Sequence, residues 1–331
     1  MATMKASTLR IGQRYRASRL QGSYDAIVIG SGMGGLTTAA LLSRLGRKVL
    51  VLEQHYTTGG FTHSYERNGY EWDVGLHYIG DMGIRTVARR LMDFLTRGEL
   101  QWAAMDAAYD RFFIGDQQYD AMAGKTEFRA NLIQHFPEEA AAIDRYLALT
   151  KAASDAFPLQ SIKRMLSPWQ QRLLAPVLRR ITPAWFNQTT FEVLSTLTSN
   201  RQLIAVLTGQ WGDYGLPPEQ SAFVMHALVA RHYLHGGFYP VGGSWRISET
   251  IIPRIQATGG DVFTYARVEQ IVVEQGKTRG VLMADGTRIA CDCVISSAGV
   301  LNTFEHLLSP TVAQPYLNKL KISIPLQMHL Q

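Results

Sequence analysis

The chain has 331 residues, 46% of them hydrophobic and 18% charged, with a formal net charge of +6. That length can bury two cores, the composition excludes a disordered or collagen-like chain, and no window approaches the ~18 uninterrupted apolar residues of a spanning helix. The positive charge leaves three kinds of partner open: nucleic acid, an anionic membrane surface or a polyanionic cofactor.

Residues 1–23 carry Lys5, Arg10, Arg14, Arg16 and Arg19 and no acid, and read as a basic tail. The tail has no apolar stretch of the kind a secretory signal needs; an organelle transit peptide stays open. The run YDAIVI (24–29) is β-branched and apolar, as in a buried parallel strand. GSGMGG follows, then LTTAALLSRLG, whose apolar spacing predicts a helix closed at Gly46. KVLVLE predicts a second buried strand ending at Glu53. Strand, glycine turn, helix and strand make one βαβ unit.

Gly30-x-Gly32-x-x-Gly35 sits where that unit turns from strand to helix. The first glycine permits the tight turn, the second lets a pyrophosphate approach the backbone, and the third lets helix and strand pack closely. The N–H groups and dipole of the helix start would hold the phosphates. Glu53, at the end of the second strand, can accept hydrogen bonds from an adenosine ribose. This pattern does not separate NAD from FAD. After Glu53, however, the chain continues as TTGGFTHSYERNGYEWDVGLH rather than as another helix, and Gly59-Gly60 can pass close to a cofactor.

Residues 78–235 show mostly amphipathic helical spacing interrupted by prolines at 137, 158, 168, 176, 183, 217 and 218, with a strand pair near RFFIGDQQYDAM. After residue 236 β patterning returns, with turns at Gly259-Gly260, Gly276 and Asp285-Gly286. The only cysteines, Cys291 and Cys293, fall in a strand-like run that would put both thiols on one face, with no disulfide framework and a reducing, cytoplasmic location. The last run, KISIPLQMHLQ, reads as the start of a strand left unfinished, so the chain is expected to be a fragment. The order predicts a basic tail (1–23), a dinucleotide-binding domain in two pieces (24–95 and 236–300) and a largely helical inserted domain (96–235 with 301–331).

Two histidine groups invite a metal reading. His55, His63 and His77 share a stretch with four carboxylates, which leaves a metal site, an acid/base cluster and a backbone strap as alternatives. His226, His232 and His235 lack HExxH or another compact ligand spacing, and no metal site is expected. Ser297 lacks a G-x-S-x-G elbow, so hydrolase chemistry has no support. The segment SIKRMLSPWQQRLLAPVLRRITPAWF mixes Lys163, Arg164, Arg172, Arg179 and Arg180 with Trp169, Trp185 and Phe186. It reads either as a solvated helical face or as a membrane-surface patch. No nucleic-acid module accompanies the charge.

The runs YDAIVIGSGMGGLTTAALLSRLG, VLVLEQHYTTGGFTHSYERNGYEWDVGLHYIG and YDRFFIG, with QWGDYGLPP, HYLHGGFYPVGGSWRISETIIP and VISSAG, resemble the flavoprotein group of phytoene desaturases, carotenoid isomerases and retinol saturase. The likeness covers nearly the whole chain and favours the retinol saturase and carotenoid isomerase branch. It implies an α/β fold: a glutathione-reductase-type (Rossmann-like) FAD-binding domain with an inserted, largely helical α+β substrate domain. By position, it implies that Gly30, Ser31, Gly32, Met33, Gly34 and Gly35 hold the pyrophosphate. Glu53 and Gln54 would meet the ribose, and Gly59, Gly60, Phe61 and Thr62 would run beside phosphates and flavin. Val268 would contact adenine through its backbone, with Ala298 and Gly299 close to the dinucleotide. Many relatives have arginine where this chain has Phe61, so a charge-assisted phosphate contact is lost here. A second flavin-contacting Gly-Asp motif expected further along is absent from this sequence.

The implied activity is FAD-dependent oxidoreduction at a C–C or C=C bond of a carotenoid- or retinoid-like polyene, by saturation, desaturation or cis-trans isomerisation. NAD(P) is an optional electron donor or acceptor, and a peripheral membrane surface is the expected partner. The cofactor would carry the chemistry; His77, Tyr78, Tyr233, His235 and Tyr239 are weak candidates for side-chain roles. The alternatives are a non-catalytic nucleotide-binding relative and an NAD-dependent dehydrogenase of another class.

Overall fold

The computed structural model describes residues 9–167, 169–170, 172–174, 176 and 182–323. The chain divides into two compact units. The first takes the chain up to His77, Arg90–Trp102 and the chain from Pro240 on; the second takes Tyr78–Arg89 and Ala103–Tyr239.

The first unit begins with β1 (Gln13–Arg14), β2 (Ala26–Ile29), α1 (Met33–Arg44) and β3 (Val49–Leu52). A hairpin of β4 (Ser64–Arg67) and β5 (Tyr70–Asp73) follows, and then α2 (Val87–Thr96), which begins in the second unit. Short strands β6 (Trp102–Ala104) and β9 (Phe238–Pro240) lie where the chain passes between units, and β7 (Ala108–Ile114) and β8 (Gln117–Met122) belong to the second. The first unit closes with β10 (Asp261–Thr264), β11 (Val268–Glu274), β12 (Lys277–Met283), β13 (Arg288–Ala290) and β14 (Val294–Ser296).

Its main sheet has the order β1-β10-β3-β2-β14, parallel throughout. Every residue of β2, β3 and β10 is buried, as the unbroken apolar runs AIVI and VLVL require of strands covered on both faces. Ile27, Leu50, Leu52 and Phe263 are the largest of its fully buried side chains, each contributing about 1.5–3 kcal/mol of burial. Tyr24 closes the sheet's lower end: its hydroxyl donates to Asp261 Oδ2 at 2.6 Å and accepts from the Gln21 N–H at 3.0 Å. Burial and the facing carboxylate hold the Tyr24 phenol well above its ordinary range. β11, β12 and β13 form a separate antiparallel sheet with turns at Gly276 and Gly286.

Three features of this unit differ from expectation. Residues read as a free basic tail are built into the fold from Leu9 on. Gln13 and Arg14 pair with Phe263 and Thr264, Tyr15 packs edge-on against Phe263, and Thr57 Oγ1 bonds both the Leu9 carbonyl and the Ile11 N–H. The stretch read as a strap contains the β4–β5 hairpin. Asn68 (φ 55°) and Gly69 (φ 79°) both adopt the left-handed conformation that a two-residue hairpin turn demands. Ser64 Oγ and Ser244 Oγ donate to Asp73 Oδ1 at 2.6 and 2.5 Å, fastening the hairpin to the Gly242-Gly243-Ser244 turn. Finally, residues 301–323, expected with the insert, lie in the first unit. Leu307 and Leu308 pack on its core, and the expected strand at 321–331 begins instead as the end of a helix, Pro310–Ser323, its remainder lying outside the described residues.

The cysteines do not share a strand face. They lie in the link between β13 and β14, with Cys291 buried and its Sγ directed at the Tyr24 and Cys293 carbonyls, and Cys293 exposed.

In the second unit β7 and β8 form the expected antiparallel pair. Helices Lys125–His135, Ala140–Met165, Thr190–Leu197, Arg201–Leu207 and Phe223–Tyr233 pack around Leu132, Ile143, Tyr146, Leu194, Leu203 and Phe223. Pro158, expected as an interruption, lies within the Ala140–Met165 helix on its exposed side. Thr189 starts Thr190–Leu197 with a capping box: its hydroxyl accepts from the Glu192 N–H while Glu192 accepts from the Thr189 N–H. His226 is enclosed between Tyr146 (3.0 Å to Nε2) and Tyr214 (3.2 Å to Nδ1), and burial pushes its pKa down from 6.5 to about 4. Among the described residues no helix is long and apolar enough to cross a membrane.

Candidate functional site

The turn between β2 and α1 gives each glycine a separate task. Gly30 has φ +94°, a conformation that strains any side chain. A Cβ on Gly35 would stand 2.1 Å from the Gly30 carbonyl oxygen, so the helix can lie against the strand only with glycine there. Gly32 is different. Its φ of −63° suits any residue, and a Cβ there would meet nothing within 4 Å. The protein itself does not require glycine at this point; what glycine leaves is free space in front of the helix. α1 starts from Gly32 with no side-chain cap and no acidic residue in its first turn, so its first N–H groups stay available to an anion.

Behind the turn, Glu53 organises the loop. Its Oε2 accepts from the Ser31 N–H (2.8 Å) and the Ser31 hydroxyl (2.7 Å), and its Oε1 accepts from the His55 N–H (2.8 Å). Ser31 in turn receives the Gly59 N–H on its carbonyl oxygen at 3.0 Å. That contact brings the Gly59-Gly60 segment alongside Gly32, with a Cβ on Gly60 only 2.9 Å from the Gly32 Cα. The Ala266 N–H bonds the Glu53 carbonyl at 2.7 Å, drawing the start of β11 to the same place.

These elements surround one groove of about 800 Å³, beyond the carboxyl ends of β2, β3 and β14, where the strand order turns about β2. Open parallel sheets bind their ligands at such a point. Gly30, Gly32, Met33, Glu53, Gln54, Gly59, Gly60, Phe61, Thr62, Val268 and Ala298 all line it. Ser31, Gly34, Gly35 and Gly299 do not reach its wall. Ser31 and Gly35 are buried behind it, Gly34 faces Ser297 Oγ, and Gly299 (φ +90°) shapes the turn after β14. Phe61 is 80% exposed and its carbonyl oxygen receives the Gly75 N–H at 3.0 Å. A groove of this volume with an open glycine backbone, an uncapped helix start and a carboxylate suits a pyrophosphate-linked dinucleotide.

Sequence reading missed Arg267, Glu269, Ser297, Asn302, Glu305 and His306, which line the groove beside Val268 and Ala298. Glu305 and His306 sit in a π-helical turn, Thr303–Leu307, which packs beside β11 and is invisible to a search at 3.6-residue spacing. The repeat of a strand, a glycine and a helix at VISSAGVLN, next to the first such turn, was the available signal.

The histidines do not form a metal centre; among the described residues no three ligating side chains converge. His55 packs at a tilt against Tyr56 (4.2 Å between ring centroids) and His63 (4.7 Å), and His63 Nδ1–H donates to the Gly60 carbonyl at 2.6 Å. Both therefore brace the glycine segment. Of the five candidates for side-chain chemistry, His77 belongs to the first unit and is not among the residues that line its groove, and Tyr78, Tyr233, His235 and Tyr239 belong to the second unit. His77 and His235 are exposed and Tyr239 is half-buried. Tyr78 and Tyr233 meet within the second unit, edge-to-face at 5.0 Å, beside Tyr109. The Tyr78 hydroxyl donates to Asp110 at 2.7 Å, and burial with that carboxylate raises its pKa far above the ordinary value; Tyr233 is pushed up to about 12. His232 Nε2 accepts the Gly80 N–H at 2.9 Å and so carries its proton on Nδ1, facing Asp81. In the basic and aromatic segment, Trp169 and Leu173 are exposed, whereas Trp185 packs on Phe223 at 6.1 Å. The side chains of Lys163 and Arg164, and residues Arg179 and Arg180, lie outside the described residues.

Residues 28–95 match the NAD(P)-binding Rossmann-like domain. The chain is 39% identical over 308 residues to human all-trans-retinol 13,14-reductase, covering 89% of this chain and 50% of that protein. It is 26% identical over 294 residues to the chloroplastic prolycopene isomerase of Daucus carota, covering 86% of this chain and 48% of that protein. The chain thus spans about half the length of the curated relatives it matches. In fold it resembles the crystal structure of an oxidoreductase from Methanosarcina mazei, with a TM-score of 0.62 and 18% identity over 89% of this chain and 64% of that one.

Proposed function

We propose that this chain, which belongs to the retinol saturase and carotenoid isomerase branch of the phytoene desaturase family, is the FAD-holding portion of an oxidoreductase that acts on C–C or C=C bonds of a carotenoid- or retinoid-like polyene. The observation that carries this reading is the single groove joining the open Gly32 backbone, the Glu53 carboxylate and the Gly59-Gly60 segment. Bound there, the flavin would exchange hydride with the polyene at N5. The chain's own residues bind and orient. The first N–H groups of α1 hold the pyrophosphate, aided by the helix dipole. Glu53 keeps acceptor capacity on Oε1 for a ribose hydroxyl, while its Oε2 stays committed to Ser31. The backbone at Val268 meets adenine, and Phe61 supplies an apolar wall. NAD(P)H is the proposed electron donor where the reaction is a saturation. The polyene reaches the protein from a membrane to which it attaches peripherally, on the cytoplasmic side.

The test is reconstitution of the purified chain with FAD, followed by product analysis with all-trans-retinol and with acyclic carotenoids. A bound flavin spectrum with a saturated, desaturated or isomerised product supports the reading. Bound flavin without product supports a nucleotide-binding module instead. A protein that takes up NADH and no FAD overturns both.

A further inference from the structure

A second cavity, of about 320 Å³, lies at the other end of α1, where it meets the ends of α2 and of the helix Arg246–Gln256. Its lining includes Ser43, Arg44, Phe94, Arg97, Arg254 and Thr258. Met33 and Ala40, the nearest lining residues of the two cavities on α1, stand about 10 Å apart along the helix, and the two linings share no residue, so the groove's cofactor does not account for it.

Three guanidinium groups around one small cavity repel one another unless something negative stands between them. Part of the charge is answered within the protein. Arg254 pairs with Glu99 and donates to the Thr96 carbonyl, and the Arg44 guanidinium lies 4.1 Å above the Phe94 ring. Arginines also gather at helix C-termini to meet exposed carbonyls, but here backbone turns do that work. Gly46 and Arg47 N–H bond the Ser43 and Leu42 carbonyls; Gly98 N–H bonds that of Asp93; Gly259 and Gly260 N–H bond those of Gln256 and Ile255. Arg44 and Arg97 are not needed as caps.

Two polar atoms of the lining residues, Ser43 Oγ and Arg254 Nε, are buried without a hydrogen-bond partner among the described residues. Ser43 is only 2% exposed. A buried donor left unmade costs ~1–3 kcal/mol, and an oxygen-rich ligand in the cavity would meet both. We propose that this cavity binds a phosphate group. Several acceptor oxygens and high charge match a guanidinium-lined site. The surroundings fit two sources, soluble phosphate and a phospholipid headgroup. For the second, Leu45 (78% exposed) follows Arg44, and Leu91 (44%) lies one turn before Phe94, apolar side chains on the same helices.

The experiment measures thermal unfolding of the full chain with inorganic phosphate against chloride at equal ionic strength, and sedimentation with phosphatidylcholine vesicles with and without phosphatidic acid. Because the cofactor groove also attracts phosphate, the decisive comparison is with Arg44→Gln/Arg97→Gln, whose side chains are exposed; Arg97→Gln alone serves if the pair folds poorly. Phosphate is expected to raise Tm by a few degrees, with an affinity roughly tenfold lower in the variant. Sedimentation with phosphatidic acid vesicles that the variant loses identifies a headgroup, and a phosphate response without sedimentation identifies a soluble ligand. An equal phosphate response in wild type and variant, or no response in either, overturns the proposal.

Discussion

Ser31 gives both of its hydrogen-bond donors to a single oxygen of Glu53, the N–H at 2.8 Å and the hydroxyl at 2.7 Å, across 22 positions of sequence. The residue at the end of the second strand thereby fixes the shape of the turn after the first. The carboxylate that would meet a ribose is also what holds the phosphate turn in place.

Both Glu53 oxygens accept from backbone N–H groups, so glutamine cannot replace it without aiming an amide nitrogen at a donor. Glu53→Gln is expected to destabilise the chain by about 2 kcal/mol, and Ser31→Ala by a similar or smaller amount. Urea midpoints measure this; unchanged midpoints would show that the network carries no stability.

Gly32 and Gly35 should separate stability from binding. Gly32→Ala places a Cβ in open space at an ordinary φ, so Tm without cofactor should stay within a few degrees while FAD affinity falls at least tenfold. Gly35→Ala drives a Cβ to 2.1 Å from the Gly30 carbonyl oxygen and should cost more than ~3 kcal/mol or prevent folding. If Gly32→Ala bound FAD normally, the open space would not be cofactor space.

Phe61 lies on the groove wall, where a guanidinium could reach the phosphates. Phe61→Arg is expected to tighten FAD binding roughly tenfold, with a steeper salt dependence than wild type. Fluorescence titration at two salt concentrations checks both parts, and weaker binding by the arginine variant would count against this placement of the phosphates.

His226 predicts acid lability of the second unit. Its folded pKa is depressed to about 4 from an ordinary 6.5, so the unfolded chain takes up the proton first. The stability it contributes is complete above pH 6.5 and is lost progressively as pH falls from 6.5 towards 4, on the order of 3 kcal/mol in all. His226→Gln, which can still bond Tyr146, should be less stable at pH 7 but flatter over that window. A wild-type urea midpoint that stays constant between pH 7 and 5 would refute the assignment.

The parts of the fold legible in the sequence were those written locally. AIVI and VLVL, the glycine spacing, and the glycine turns at 46, 276 and 286 each depend on neighbours within a few residues. Gln13 and Arg14 gave no such sign, because two exposed polar residues become a strand only through pairing with Phe263 and Thr264. The β4–β5 hairpin was legible in Asn68-Gly69, but its largely exposed strands lack the apolar alternation that would have drawn attention. The groove's first wall could be read from glycines and Glu53. The second depends on β14 lying beside β2, for which the strand, glycine and helix order of VISSAGVLN was the one local sign, and on a π-helical turn, which has no local pattern. His226 likewise carries no local sign of its setting: only the packed helices reveal that it is enclosed.

The bond between Tyr24 and Asp261 joins residues 237 positions apart, and β10 lies between β1 and β3. On the ribosome, at ~5–20 residues per second, the first βαβ segment therefore waits roughly 10–50 s for the strand that completes it. Throughout that interval β3 presents an unpaired edge, while all of the second unit is synthesised. The insert can close on itself before its host does, so the yield of folded protein depends on how well the nascent apolar runs AIVI and VLVL are shielded during translation.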